Sequence, residues 1–292
     1  MEFRQLEYFL AVVENGGIKG AALKLGVAQP TVSQSVRGLE RELGLDLFYR
    51  IGRGLVPTAA GKSLIGPCRQ ILREVGTLEE RLSGSADEIS GCLDLMIHPA
   101  LATDPIVELV VMFRSAHPRS TVRFADLKSE EAAAALICDG HCEFVVAHLP
   151  FETGMGLEVI ELGEQEYWLA YPPGTELPPG PMALTALPDI PLVLVPQGGV
   201  LSEEITHAMR RAGVRRSVAV FADHRETRLP LVLAGVGGSF VERSLAESVN
   251  SVAVVRECDP TFNRPFGIAF VPESLSKAGQ AFVDLLRSTI SF

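Results

Sequence analysis

The chain has 292 residues, of which 47% are hydrophobic and 21% are charged, a composition typical of a soluble globular protein. Its length exceeds what one hydrophobic core usually supports, so we expect at least two domains. No run of about 18 apolar residues is present, which excludes a membrane-spanning helix. The acidic N-terminal stretch is unlike a secretory signal, and we therefore expect a cytoplasmic protein.

The net charge of −10 is unevenly distributed. Residues 1–66 carry eight basic and six acidic side chains, so this part is +2 and the remainder is −12. A weakly basic head on an acidic body is expected of a protein that contacts phosphate with one end only.

The reactive side chains show no catalytic or metal-binding pattern. The five cysteines are odd in number and scattered, as expected of reduced thiols, and the pair Cys138 and Cys142 lacks the spacing of a zinc site. The six histidines show no ligand spacing, and there is no Gly-rich phosphate loop, HExxH motif or nucleophile elbow. We therefore predict no metal, no cofactor and no enzyme activity.

The first 44 residues have the pattern of a helix-turn-helix. A first helix is predicted over Phe3–Glu14, and a second over Ile18–Leu25, which Gly26 ends because glycine readily adopts a left-handed conformation. A third helix begins near Gln29, with Pro30 in its first turn. Its apolar residues recur at spacings of 4, 3 and 4, which predicts one buried stripe, formed by Val32, Val36, Leu39 and Leu43.

A short hairpin should follow Gly44. Leu47 and Phe48 are expected to close the three-helix core, and the glycine turn at 52–54 should direct Arg50 and Arg53 outward. In a helix-turn-helix the third helix would be the one that reads DNA. A wing beside it would reach the DNA backbone or minor groove. The alternative is a solvated hairpin with two surface arginines.

A long helix is predicted over 58–82. Its apolar positions alternate at spacings of 4 and 3, as in a coiled coil, and are Leu64, Cys68, Ile71, Val75, Leu78 and Leu82. A helix packed on its own domain would show the same stripe. We interpret it as a dimerisation seam, because a DNA-binding protein needs two heads to read the two half-sites of its DNA. Proline removes a helix hydrogen bond, so the helix is expected to start properly only at Pro67, with a bend behind the head.

Beyond a polar hinge at 83–91 the pattern changes to alternating strands and helices, which is typical of a mostly parallel α/β sheet. Strands are predicted at 93–98, 121–126, 143–149, 166–171, 192–195, 218–221, 238–242 and 265–271. Helices are predicted at 104–117, 129–139, 202–212, 225–234 and 276–287. Two such α/β lobes would leave a cleft between them, where ligands usually bind.

Taken together, the chain resembles the LysR-type transcriptional regulators. The matched motifs are Leu6-x-Tyr8-Phe9, Ala21-Ala22-x-x-Leu25, Gln29-Pro30-Thr31-Val32-Ser33, Leu39-Glu40-x-x-Leu43-Gly44, Leu47-Phe48-x-Arg50 and Thr58-x-Ala60-Gly61. The resemblance implies a winged helix-turn-helix at 1–58, a dimerising linker helix and hinge at 59–86, and an effector domain at 87–292. This domain would have two α/β lobes resembling periplasmic binding proteins, with lobe I at about 91–162 and 267–292 and lobe II at about 163–266.

The resemblance also implies double-stranded DNA and a small-molecule effector as partners, in a homodimer that assembles into a tetramer. It assigns DNA contacts to Gln29, Pro30, Thr31, Ser33, Gln34 and Arg37 of the third helix and to Arg50 and Arg53 of the wing. Glutamine can pair with adenine, and arginine can bind phosphate or guanine. The alternative for Ser33 is a local hydrogen bond within its helix.

The resemblance places the effector between the lobes, beside Ala100, Leu101, Thr103, Ser129, Glu130, His148, Gln197, Leu201 and Ser202. Helix N-termini at Thr103, Ser129 and Ser202 would direct free N–H groups at a carboxylate, although each hydroxyl could instead cap its own helix. Ala100 stands where relatives often place a hydroxyl, and Glu130 adds negative charge. A carboxylate effector is therefore favoured only slightly over a neutral one.

Two sequence features depart from the pattern of that family. Ala28 stands where a serine is common, so the third helix should lack a side-chain N-cap, and Gly17 replaces another common serine. Two alternative functions stay open. One is a thiol-based redox regulator of the same family, which would use Cys138 and Cys142. The other is a cytoplasmic solute-binding protein, since the body alone has that architecture.

Overall fold

The computed structural model describes residues 1–51, 54–82, 89–103, 105–150, 156–195, 200–222 and 224–290. Among these residues no helix combines the length and the apolar character needed to cross a membrane. The N-terminal head consists of helices α1 (Phe3–Glu14), α2 (Ile18–Leu25) and α3 (Gln29–Leu43) and the antiparallel strands β1 (Phe48–Ile51) and β2 (Gly54–Pro57). The three helices and the hairpin predicted from the sequence are confirmed.

Glycines end both helices of the helix-turn-helix. Gly26 and Gly44 have φ of 67° and 66°, in the left-handed region, and their N–H groups bond to carbonyls of the preceding turn. Helix α3 begins without a side-chain cap because Ala28 occupies that position, as the sequence predicted. Pro30 in the first turn fixes φ where no helical N–H is needed.

The head has its core between α1, α3 and the wing. Val32, Val36 and Leu39 are buried, which confirms the first three positions of the predicted stripe, whereas Leu43 is 38% exposed. Leu47 is only 1% exposed, and the Phe48 ring lies 5.4 Å from that of Phe9. The residues after α3 therefore close the core as expected.

Helix α4 (Ala59–Leu82) connects the head to the body. It is continuous through Pro67, so the prediction that it starts properly only at Pro67 is wrong. Proline removes a single backbone hydrogen bond, and packing of the flanking turns on the head compensates for it, because Cys68 is fully buried there and Leu64 packs on the same cluster.

The body contains a seven-stranded mixed sheet in the order β10-β6-β13-β5-β3-β4, with β11 also paired to β6. Its strands are β3 (Gly91–Ile97), β4 (Ser120–Asp126), β5 (Phe144–His148), β6 (Glu158–Tyr171), β10 (Ser239–Glu242), β11 (Val254–Arg256) and β13 (Phe262–Phe270). Within this sheet only β3, β4 and β5 run parallel to one another, whereas β13 is antiparallel to both β5 and β6. The expectation of a mostly parallel sheet is wrong, because β6 and β13 form one long antiparallel pair.

The remaining elements flank this sheet. They are the helices α5 (Ile106–Ala116), α6 (Ala133–Cys138), α7 (Val200–Arg211), α8 (Arg225–Leu233), α9 (Arg243–Ser248) and α10 (Lys277–Thr289) and the strands β7 (Met182–Ala183), β8 (Leu192–Leu194), β9 (Val218–Phe221) and β12 (Cys258–Asp259). Strands β8 and β9 form a parallel pair, as do β7 and β12. Helix α9 and strands β7, β11 and β12 were not predicted.

Separate apolar cores define two lobes. In lobe I, helices α5 and α10 cover one face of β3 and β5, and α6 covers the other. In lobe II, α7 packs on one face of the sheet around Tyr171 and Phe240, while α8 and α9 pack on the opposite face. Strand β6 belongs to both lobes, since Ile160 lies in the first core and Tyr167 lies in the second.

The head contacts lobe I through ion pairs of charged side chains. Glu14 of α1 accepts hydrogen bonds from Arg69 of α4, at 3.0 Å, and from Arg123 of β4. Arg123 Nε lies 2.6 Å from the Asp94 carboxylate, whose side chain is 8% exposed. Arg73 of α4 donates to the Gly140 carbonyl at 3.1 Å, so α4 is fixed to the body as well as to the head.

We predict that Gly66→Ala separates α4 from the body. A Cβ at this position would lie 1.9 Å from the Asp139 carbonyl oxygen, so the helix must shift, and such overpacking costs about 1–3 kcal/mol. Gly76→Ala on the same helix is the control, because nothing lies within 4 Å of its Cβ and alanine should stabilise the helix by about 0.5–1 kcal/mol. Urea denaturation measures the free energy of unfolding of both variants. Equal effects would contradict the close contact between Gly66 and the Asp139 carbonyl.

Candidate DNA-binding surface and interlobe site

Helix α3 presents a polar face opposite its buried stripe. Gln29, Pro30, Thr31, Gln34 and Arg37 are exposed, and Ser33 is half-buried between the two faces. The side chains assigned to DNA from the sequence therefore lie together on one surface, except that Ser33 is less accessible. A helix with a short polar face and one long cation can enter a major groove and contact base edges.

The wing places a second cation beside this helix. Arg50 is exposed on β1, and its neighbours Tyr49 and Ile51 are 59% and 63% exposed. Arg53, the other predicted wing contact, lies outside the described residues.

The interlobe site is built on the carboxyl ends of parallel strands. His98 follows β3, His148 ends β5, and Glu130 lies in the loop between β4 and α6. Ile97 pairs with Val146, which brings the two imidazole rings to a centroid distance of 5.0 Å in an edge-to-face arrangement. The Glu130 carboxylate lies 2.7 Å from His148 Nδ1 and 3.2 Å from the His148 backbone nitrogen.

Gln165 on β6 holds the opposite side of His148. Its Nε2 donates to the Ala100 carbonyl at 2.5 Å, which orients the amide so that Oε1 faces His148 Nε2 at 2.9 Å. The Tyr167 hydroxyl donates to the same Oε1. One buried amide from lobe II therefore connects two lobe I strand ends with β6.

Arginines surround these groups on the lobe II side. Arg264 of β13 lies 3.5 Å from Glu130 Oε2. Arg225 of α8 bonds to Glu242 at 3.0 Å and donates to the Pro99 carbonyl at 3.2 Å, which links α8 to lobe I. Arg228 also bonds to Glu242, whose carboxylate is 2% exposed.

These surroundings alter the acid–base properties of the cluster. Burial lowers the pKa of His98 to about 4, and the neighbouring His148 adds to the effect. Burial disfavours the charged form of Glu130, but hydrogen bonding and charge from His148, with the charges of His98 and Arg264, lower its pKa to about 2. At neutral pH the cluster therefore combines a neutral His98 with an ionised Glu130.

The structure brings together only some of the predicted effector residues. Glu130 and His148 form the cluster, Ala100 contributes its carbonyl, and Leu101 is buried in the lobe I core. Ser202 instead lines a small cavity in lobe II with Arg228 and Ser239. Gln197 lies outside the described residues, as does the side chain of Leu201.

The structure displaces all three predicted helix N-termini. Helix α5 begins at Ile106 after Pro105 rather than at Thr103, and α6 begins at Ala133, four residues after Ser129. The Ser129 hydroxyl bonds to Glu131 instead, and Ser202 is the third residue of α7. Pro105 precedes α5, and Glu130 and Glu131 precede α6, so these two helices start late, whereas α7 starts two residues before Ser202. Local propensity does not resolve helix boundaries to this precision.

Sequence reasoning missed most of the residues that complete the site, which are His98, Gln165, Tyr167, Arg225, Arg228, Glu242 and Arg264. The alternation of Gln165 and Tyr167 on one face of a strand was a usable signal. The arginines carried no such signal in the sequence, because they approach Glu130 and Glu242 only through tertiary packing.

Comparison with known proteins tests the interpretation drawn from the sequence. Residues 3–62 match the family model of the bacterial regulatory helix-turn-helix protein, lysR family, and residues 86–291 match that of the LysR substrate binding domain. The chain belongs to the LysR family. The resemblance identified from the sequence and the fold class it implied are both confirmed.

Relatives cover nearly the whole chain. The HTH-type transcriptional regulator TfdS of Cupriavidus pinatubonensis is 29% identical over 290 residues, 98% of each chain. A probable hydrogen peroxide-inducible genes activator of Mycobacterium leprae is 29% identical over 270 residues, 91% of this chain and 86% of its own. The solved structure of full-length CbnR complexed with its target DNA covers 99% of this chain and 100% of its own, with 25% identity and a TM-score of 0.69. The chain is a LysR-type transcriptional regulator.

We predict that Gln165→Leu destabilises the body. The substitution leaves the His148 ring and the Tyr167 hydroxyl without their buried acceptor, at a cost of about 1–3 kcal/mol for each unpaired group. Asn263→Ala on β13 is the control, because that amide has an exposed bond to Glu164 and its loss should cost about 0.5 kcal/mol or less. Urea denaturation compares the two, and similar losses would show that the buried amide has no special role.

Proposed function

We propose that this LysR-type regulator reads DNA with the exposed face of α3 and responds to a small molecule bound between its lobes. The observation that carries the DNA assignment is the division of α3 into two faces. Val32, Val36 and Leu39 are at most 4% exposed, which fixes the helix on the head, while Gln29, Gln34 and Arg37 face outward. Because its target is chromosomal DNA, we place the protein in the cytoplasm.

The interlobe cluster supports an effector site between the two lobes. It is polar, it lies at the carboxyl ends of β3 and β5, and its groups come from both lobes, so a bound molecule would contact each lobe. Arg225 and Arg264 would attract a carboxylate, whereas Glu242 and Glu130, with which they are already paired, would repel one. Because these charges nearly cancel, they favour a carboxylate effector only slightly over a neutral one.

A redox mechanism has less support. The M. leprae relative makes a peroxide response the natural alternative, and the sequence suggested Cys138 and Cys142 for it. Cys142 is buried in the apolar core beneath α6, and burial raises the pKa of its thiol to about 12. Peroxide reacts with the thiolate, so a thiol with so high a pKa is a poor sensor. A solute-binding protein is disfavoured by the DNA-binding head.

We infer that two copies pair through the C-terminal part of α4, and the family resemblance extends this pairing to a tetramer. The N-terminal part of the predicted seam is used within the chain, because Cys68 and Ile71 pack on α1. Further along, Leu78 is 56% exposed and Val75 is half-buried. The side chain of Leu82 lies outside the described residues. The apolar stripe therefore leaves the head near Val75 and needs a partner there.

The DNA assignment is tested with the DNA upstream of the gene. We expect binding whose affinity falls steeply with salt.

Gln29→Ala should weaken binding to the cognate site selectively, by about 1–3 kcal/mol. Arg50→Ala should weaken all sequences similarly and reduce the salt slope by about 1. Arg287→Ala, which removes an exposed arginine of α10 in the body, is the charge control. Equal losses on cognate and random DNA for both head variants would refute the assigned roles.

We predict that Leu78→Asp converts the dimer to a monomer, because it places a charge in an apolar contact. Ile71, on the same stripe, is unsuitable for this test, since it packs on the head and its substitution would perturb folding. Val252→Asp in the body is the control, because Val252 is 52% exposed, similar to Leu78. Sedimentation velocity measures the mass, and an intact dimer in Leu78→Asp would place the interface elsewhere.

A further inference from the structure

We propose that His98, Glu130 and His148 bind one transition metal ion of the Zn²⁺ type in the interlobe site. The inference rests on the proposed function only in placing the ion where an effector would bind. One ligand atom from each of the three side chains lies within 4.8 Å of the other two. In the part of the chain that the structure describes, no other group of three His, Cys, Asp or Glu side chains converges in this way.

The donor set determines the class of ion. Two imidazoles and one carboxylate suit Zn²⁺ and the later first-row transition ions, whereas Mg²⁺ and Ca²⁺ prefer oxygen ligands throughout. Three protein ligands leave a tetrahedral ion with one open position, which water or an oxygen of an effector can occupy. The ion would therefore be a ligand-binding centre rather than a closed structural site.

The surrounding hydrogen bonds are those that a metal-bound histidine requires. A ligating imidazole usually donates its other N–H to an oxygen, which fixes the ring. His148 Nε2 faces Gln165 Oε1 at 2.9 Å, and the bond from Gln165 to the Ala100 carbonyl prevents the amide from turning. His148 Nδ1 is thereby directed at Glu130, and the His98 ring lies 5.0 Å from the His148 ring between centroids.

Glu130 is positioned in a similar way. Its Oε1 faces His148, while Oε2 lies 3.5 Å from Arg264. One oxygen can therefore bind the ion and the other can remain paired with the guanidinium. Arg264 also compensates the carboxylate in the absence of metal, and Glu242 is the other charge acting on His98 from lobe II.

Binding requires a small local rearrangement. Two ligand atoms on one tetrahedral Zn²⁺ lie about 3.3 Å apart, so the 2.7 Å contact between His148 Nδ1 and Glu130 must open and the proton between them must leave to solvent. The bond from the Ala100 N–H to His98 Nδ1 is 3.3 Å long, weak enough for the ring to reorient. Glu130 is 28% exposed, so the ion has a path from solvent.

The test uses tag-free full-length protein, stripped with a chelator and titrated with Co²⁺ as a spectroscopic probe for Zn²⁺. We expect one Co²⁺ per chain with visible absorption of a four-coordinate ion, and displacement of that Co²⁺ by Zn²⁺. His98→Gln and Glu130→Gln should each weaken binding at least about tenfold, since loss of even an outer partner costs about 10–100-fold. His207→Gln, an exposed histidine on α7, is the matched control and should leave binding unchanged.

His98→Gln separates a ligand role from a structural one. It leaves the contact between His148 and Glu130 in place, so its thermal unfolding should match wild type without metal and differ only when Co²⁺ is present. The proposal is overturned if wild type binds Co²⁺ no more tightly than His98→Gln, or if His207→Gln loses binding equally. DNA binding measured on the same samples keeps the two proposals apart, because DNA binding without Co²⁺ binding rejects the metal site alone.

Discussion

The arrangement of the body depends on one antiparallel pairing, that of β6 with β13. The two strands are hydrogen-bonded from Phe262 opposite Tyr167 to Phe270 opposite Glu158, and so they pass through both apolar cores. The register shifts between Phe266 and Gly267, next to Gly163, whose φ of 138° few other residues adopt. A Cβ on Gly267 would lie 2.6 Å from the Ile160 carbonyl oxygen, so the close approach of the strands there requires glycine.

This pairing determines which polar groups meet in the cleft. His98 and His148 stand at the ends of lobe I strands, while Gln165, Tyr167 and Arg264 come from the lobe II ends of β6 and β13. A molecule or ion bound among them therefore contacts both lobes, and any change in its contacts with Gln165 or Arg264 acts directly on the strands that connect the lobes. Because β6 and β13 are continuous, such a change reaches both cores without a flexible linker.

Helix α4 provides the corresponding connection to the head. Its first turns complete the head core with Cys68, and its middle turns place Arg69 and Arg73 against Glu14 and lobe I. The carboxylate of Asp94 accepts from Arg123 and lies 3.5 Å from Arg73, in a site that is largely shielded from water. Removing one partner of such a buried pair is costly, since the remaining charge is left uncompensated. Head, linker and lobe I are thus mechanically coupled within one chain.

The sequence by itself determined the head almost completely. The spacing of Val32, Val36 and Leu39, the glycines at 26 and 44 and the proline at 30 act within one or two helical turns, so local rules place them correctly. The family resemblance then identified the class of protein. The sequence also indicated a two-lobed body, because strand and helix periodicities alternate along it.

Only the tertiary structure decided the site and the use of the linker. His98 and His148 are 50 positions apart and meet because β3 pairs with β5, a choice that no local spacing encodes. The first half of β6 was not predicted, because its acidic residues do not have the pattern of a buried strand. It is a strand because it pairs with β13. The stripe on α4 has one period throughout, yet Cys68 packs on its own head and Leu78 remains exposed. Periodicity shows that a face is buried, whereas only long-range packing selects what buries it.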